Sequence, residues 1–271
     1  MGFYRVLATG RLLTDFIFVR KISNLLRRVT SGVLRSAAVA LICMLGSRPL
    51  IAAEVLREGE RLRIIGEITQ RLVAEIGAKD RLEGVRSIEI TSPGGELLPA
   101  IVLARWIREA GINVKVSGIC ASACANYIFP AGRQKFIAAD ALLVWHGGAF
   151  QRNFVEFVDE FEAVSERIDV GVGLEGDSDY LKRSQEKYIN IKVQQAQERK
   201  FYELIGVDKS LPIVGKLDAM GKVWTLSIDA MSRLGIRGVV APEQYASIEY
   251  IEKWKSGYFG RADALQIDLI E

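Results

Sequence analysis

From Gly59 onward, short apolar runs and amphipathic stretches take turns along the chain. Gly59 to Ile68 (GERLRIIGEI) holds a β-type run ending in Gly-Glu-Ile, and Leu72, Val73 and Ile76 then recur at helical spacing within Thr69 to Ile76. Val85 to Thr91 alternates apolar and polar residues, as a strand with one buried face does, until Ser92-Pro93-Gly94-Gly95 breaks it. Leu97 to Ala110 carries Pro99 near its start and Gly111 just past its end, the asymmetry of a helix. Asn113 to Ser117 predicts a strand, and Gly118 to Ser122 a turn into a small-residue helix, Ala123 to Ala131. Two short strands, Lys135 to Ala138 and Leu142 to Trp145, complete the series.

This alternation predicts an α/β domain with largely parallel strands, whose functional loops sit at strand ends. Beyond His146 the pattern changes. Phe154 to Ile168 and Tyr180 to Leu204 are long, charged and amphipathic, separated by the glycine-rich Gly171 to Gly176, and predict a helical arm over about residues 150 to 205. Ser227 to Leu234 reads as a final helix with Ser227 as its N-cap, leading through Gly235 into a strand, Ile236 to Val240. No repeat, long linker or low-complexity tract argues for a second domain.

Charge changes the picture at one end. Of 36 Lys and Arg and 33 Asp and Glu, residues 1 to 53 hold eight bases and one acid, so residues 54 to 271 hold 28 bases and 32 acids. A mildly acidic body lacks the basic face that nucleic acid requires, so a nucleic-acid partner is not expected. In the basic segment, Arg27, Arg28 and Arg35 precede the apolar run Ser36 to Ser47 and the small residues Ala52-Ala53. Together they predict a signal peptide over residues 1 to 53 and an exported, periplasmic or extracellular domain over 54 to 271. The run of about twelve residues is short of the ~20 that span a bilayer. Membrane association through an uncleaved anchor at residues 36 to 53 is the alternative.

Candidate chemistry converges on a few positions. His146 is the one histidine of the chain, at the end of an apolar strand and before Gly147-Gly148. It is therefore the available neutral-pH general base. Ser122 lies between a strand and a helix, where a tight turn would hold its hydroxyl forward and aim the next backbone N–H, that of Ala123, at an oxyanion. Gly94 and Gly95, lacking Cβ atoms, can bring a second amide close. Taken singly, each has a plainer explanation: a helix N-cap serine, a turn, a hydrogen-bonded strand-end histidine. Cys120 and Cys124 flank the elbow, and in an exported domain they are candidates for a disulfide or for two buried thiols. With one histidine and two body cysteines, no metal site is expected.

In order and spacing, Ile64-Ile65-Gly66-Glu67-Ile68, Thr91-Ser92-Pro93-Gly94-Gly95, Cys120-Ala121-Ser122-Ala123-Cys124 and Val144-Trp145-His146 resemble the Clp protease proteolytic subunit and its exported relatives. The resemblance spans residues 61 to 147 and returns over Trp224 to Val240. It implies a Clp protease and crotonase-type spiral of β-β-α units, here with an added helical arm. It also implies nucleophile Ser122, base His146, oxyanion donors at Gly95 and Ala123, a peptide or protein substrate, no cofactor, and assembly into homo-oligomers. The family's acid follows its histidine by about fifty residues. The nearest match, Asp208, lies 62 residues on, with Glu203 as a rival. Signal peptide peptidase A, another relative, uses a lysine base, which has no obvious counterpart here. The expected function is thus exported serine hydrolysis of a peptide bond; the alternative is a catalytically inactive binding or assembly protein of the same fold. Coenzyme A chemistry fits poorly with export and with a Ser122/His146 pair.

Overall fold

The computed structural model describes residues 53–78, 82–169, 178–215, 223–260 and 265–271. The leader expectation and the Gly171 to Gly176 link lie outside them. Among the described residues, no helix is long and apolar enough to cross a membrane.

A polar hairpin opens the domain. β1 (Glu54–Glu58) turns at Gly59 and pairs antiparallel with β2 (Arg61–Ile65). From β2 the sheet becomes parallel: α1 (Gln70–Ala78) leads to β3 (Ser87–Ser92), and α2 (Leu97–Glu109) leads to β4 (Asn113–Ala121). Leu62, Ile64, Ile88, Ile90, Val114 and Val116 are fully buried, which explains why the period-two pattern of these strands is so clean. β5 (Lys135–Ile137) and β6 (Leu142–Val144) both pair parallel with β4, on different stretches of it. The mixed α/β class with a mostly parallel sheet is as the sequence predicts.

β4 outruns its expected end at Ser117 because it changes partner midway. Residues 114–116 pair with β5 and residues 119–121 with β6, and Gly118 at φ +67° lies between the two stretches. The register against β3 shifts at the same place. Such a break needs a residue free to adopt positive φ, which glycine does without a Cβ penalty. Trp254 donates its indole N–H to the Gly118 carbonyl at 2.9 Å, and Thr91 donates its hydroxyl to the Ser117 carbonyl, so the bend is supported from both sides.

The helical arm is a pair, α4 (Arg152–Asp169) and α5 (Ser178–Ile205). Its inner stripe, Ile191, Gln195, Glu198 and Tyr202, is buried although half of it is strongly polar. β7 (Val223–Leu226) follows, then α6 (Ile228–Arg233), where Ser227 accepts the Ala230 N–H as the expected N-cap. The strand expected over Ile236 to Val240 shrinks to β8 (Val239–Val240), since Gly238 at φ +69° interrupts it. Nor is α6 the last helix. α7 (Ile248–Phe259) and β9 (Ile267–Ile270) come after it, the latter pairing parallel with β7 in a small second sheet. Tyr245 and Tyr250 from this tail donate to or accept from backbone of residues 138–143, bracing β6.

Candidate active site

Three neighbouring strands deliver the candidate residues to one edge of the sheet. β3, β4 and β6 run parallel, with Ser92 opposite Cys120 and Ala121 opposite Val144, so their carboxyl ends lie side by side. Beyond those ends come Gly94-Gly95, Ser122 and His146 respectively. The Ser122 N–H donates to the Val144 carbonyl at 2.9 Å, extending the β4–β6 ladder to the serine itself. Trp145 and Trp224 exchange both backbone hydrogen bonds, at 2.8 and 2.9 Å, which fixes the chain just before the histidine.

Ser122 has φ +54°, one of two non-glycine residues with positive φ among those described. A left-handed serine costs about 1 to 2 kcal/mol relative to ordinary conformations. The strain turns the chain sharply from β4 into a π-type turn (Cys124–Ile128), continued by the short helix α3 (Phe129–Ala131). Burial makes the point independently: from Ile119 to Gly132 every residue is buried except Ser122, and from Ala141 to Gly147 every residue is buried except His146. The fold thus leaves these two side chains partly open in an otherwise closed wall.

Cys120 and Cys124 are joined in a disulfide with Cα atoms 5.3 Å apart, spanning the serine from two residues before to two after. On the other side stands Gly94, at φ +107°. A Cβ there would lie 2.5 Å from the Ser122 Cβ and 2.7 Å from the Ala121 carbonyl oxygen. Gly95 makes a parallel bridge with Ile68, through the Gly94 carbonyl and the Glu96 N–H. In a parallel ladder the bridged residue's own N–H points to the opposite side, away from Ile68. Among the described residues no acceptor takes the N–H of Gly95 or of Ala123. Ser92 closes the turn by accepting the Gly94 N–H at 3.1 Å.

Burial pushes the His146 imidazole below its ordinary value, against a smaller opposing effect from a hydrogen bond to its own backbone. It is therefore neutral at pH 7, able to accept a proton. No carboxylate among the described residues accepts a hydrogen bond from it. Asp208 is exposed and accepts the Ser210 N–H at 2.8 Å, an Asx-type turn that also holds its carboxyl below the usual range. Glu203 is exposed on α5. The structure therefore gathers Gly94, Gly95, Ala123 and the two cysteines around Ser122 and sets His146 at the end of the neighbouring strand; among the described residues no hydrogen bond joins His146 to Ser122, and Asp208 and Glu203 are apart from both in hydrogen bonding.

The segment after His146 is held by residues that the sequence reading passes over. Asn126 donates its side-chain amide to the Gly147 carbonyl at 2.8 Å. Glu198 accepts the Ala149 N–H at 2.6 Å and the Tyr127 hydroxyl at 3.0 Å on the same oxygen, and Gln195 donates to the Ala149 carbonyl at 3.2 Å. Tyr202 donates to the Asn126 carbonyl. Among the described residues, no group of three or more His, Cys, Asp or Glu is placed to hold a metal ion. Comparison of the sequence with known protein families and with curated proteins finds no match.

Proposed function

We propose that this chain is a serine hydrolase that cleaves peptide bonds, with Ser122 as nucleophile and His146 as general base, in a Clp protease and crotonase-type spiral. The observation that carries the reading is the left-handed Ser122 at the strand-to-helix elbow, the one open residue in a buried run, beside two amides that find no acceptor among the described residues. In the first step His146 takes the Ser122 hydroxyl proton while Oγ bonds to the substrate carbonyl carbon. The Gly95 and Ala123 N–H groups hold the resulting oxyanion. His146 then returns the proton to the amine as the C–N bond breaks. Water hydrolyses the acyl-enzyme by the same steps in reverse roles, and no cofactor enters the balance.

The proposal extends to export through residues 1 to 53 and to homo-oligomers. Ile189 and Val193, one turn apart on the outer face of α5, are exposed apolar residues that suit such a contact. A second reading, an inactive binding or assembly protein, is favoured by one observation: among the described residues, no carboxylate accepts a hydrogen bond from His146. Hydrolysis of a fluorogenic peptide or unfolded-protein substrate separates the two. The wild-type chain should turn over substrate, and Ser122→Ala and His146→Ala should each lose at least about a thousandfold while keeping their fold. Turnover by Ser122→Ala at the wild-type rate ends the proposal.

A further inference from the structure

The arm helix α5 presents a buried polar stripe that the mechanism above does not use. Gln195, Glu198 and Tyr202 recur at i, i+3 and i+7, so they share one face, and that face is turned inward. Glu198 is 1% exposed. A buried carboxylate is costly and seldom kept without a task. Here its Oε2 ties together two segments that bear the candidate catalytic residues: Tyr127, in the turn that begins at Ser122, and Ala149, three residues after His146. Gln195 and Tyr202 repeat the pattern on either side, one holding the Ala149 carbonyl and the other the Asn126 carbonyl. Asn126 closes the ring by donating to Gly147 and by its own N–H to the Ser122 carbonyl at 2.8 Å. Gly148 must be glycine for this approach, since a Cβ would sit 2.7 Å from Pro212 and 2.8 Å from the Glu198 Oε1.

We infer that Glu198 is a positioning residue of the hydrolase site, holding the histidine segment against the nucleophile turn in place of a carboxylate bonded to His146 itself. This rests on the serine hydrolase reading. The groups facing it are the Tyr127 and Tyr202 hydroxyls, both pushed up by burial and so neutral across the working range, and the Ala149 amide. Arg105 of α2 reaches α5 at Gln197 instead. Burial raises the Glu198 carboxyl to about 7, against the pull of its two donors. The clasp therefore tightens as pH rises through that value, because an ionised oxygen accepts more strongly than a neutral one.

The test follows the rate of Ser122 modification by a fluorophosphonate against pH, together with amide exchange of residues 147–150, in the full chain and its variants. In the wild type the rate should climb through about pH 7. Glu198→Gln, which keeps an acceptor oxygen, should hold the exchange protection and lose that limb, leaving only the His146 rise below 6.5. Glu198→Ala should slow modification by about ten to a hundredfold and expose 147–150 to exchange. If Glu198→Ala does not fold, Gln195→Ala gives the same readouts with a smaller loss. Unchanged rate, pH profile and exchange overturn the inference. A wild-type chain that never reacts sinks the hydrolase reading instead, and exchange in residues 147–150 then decides the positioning role by itself: protection lost in Glu198→Ala sustains it, protection kept removes it.

Discussion

The turn around Ser122 and the segment after His146 lie at one edge of the sheet, yet they are held by different means. At Ser122 itself the shaping groups are backbone or covalent: the left-handed φ, the ladder bond to Val144, the disulfide two residues to either side, and a glycine that makes room, while α5 reaches the turn only further along, at Tyr127 and the Asn126 carbonyl. The segment after His146 is held by side chains, from Asn126 and from Gln195 and Glu198 about fifty residues further along the chain. The first arrangement is local. The second depends on a distant helix docking, and it can respond to the charge of one carboxyl.

The sharpest way to break the contrast is to remove the covalent strap. Cys120→Ser with Cys124→Ser opens a five-residue loop, which by chain entropy alone should lower stability by about 2 kcal/mol. Its effect on Ser122 should be larger than on the histidine segment: a fall in fluorophosphonate reactivity of about tenfold or more, with exchange at 147–150 unchanged. Equal reactivity with and without the bridge would make it a packing feature only.

A smaller effect tests the strain. Ser122→Gly should stabilise the fold by about 1 kcal/mol, since glycine adopts positive φ without the Cβ clash, while abolishing modification. Chemical denaturation midpoints measure it, and a destabilised glycine variant would mean that the turn is not strained. The smallest expected change is at Asp208→Asn. Asparagine keeps an oxygen for the Ser210 N–H, so stability should move by less than about 0.5 kcal/mol and hydrolysis by less than about twofold. A loss of a hundredfold would return Asp208 to the role of third catalytic residue.

How much was legible in the sequence follows the same divide. The strands from β2 to β6 and helices α1 and α2 are readable because each buries its own periodic face. The elbow is readable because its parts, from Cys120 to Cys124, are contiguous. β9 is missed because its partner, β7, lies about forty residues back, and a four-residue run of intermediate burial carries no distinct pattern. β1 is missed because most of its residues are exposed and polar, its pairing set by the Gly59 turn. Glu198 is hidden for a different reason. In a helix as charged as α5, a buried Glu looks like any solvated one, and only its place in the Ile191, Gln195, Tyr202 stripe marks the inward face.

The central claim, that Ser122 is an activated nucleophile, is tested most directly by intact-mass and peptide-level analysis of the wild-type chain after exposure to a fluorophosphonate at pH 8. One adduct should form, on the peptide containing Ser122, and none on the His146→Ala chain under the same conditions. A wild-type chain that stays unmodified, or an adduct on any other residue, would contradict the account.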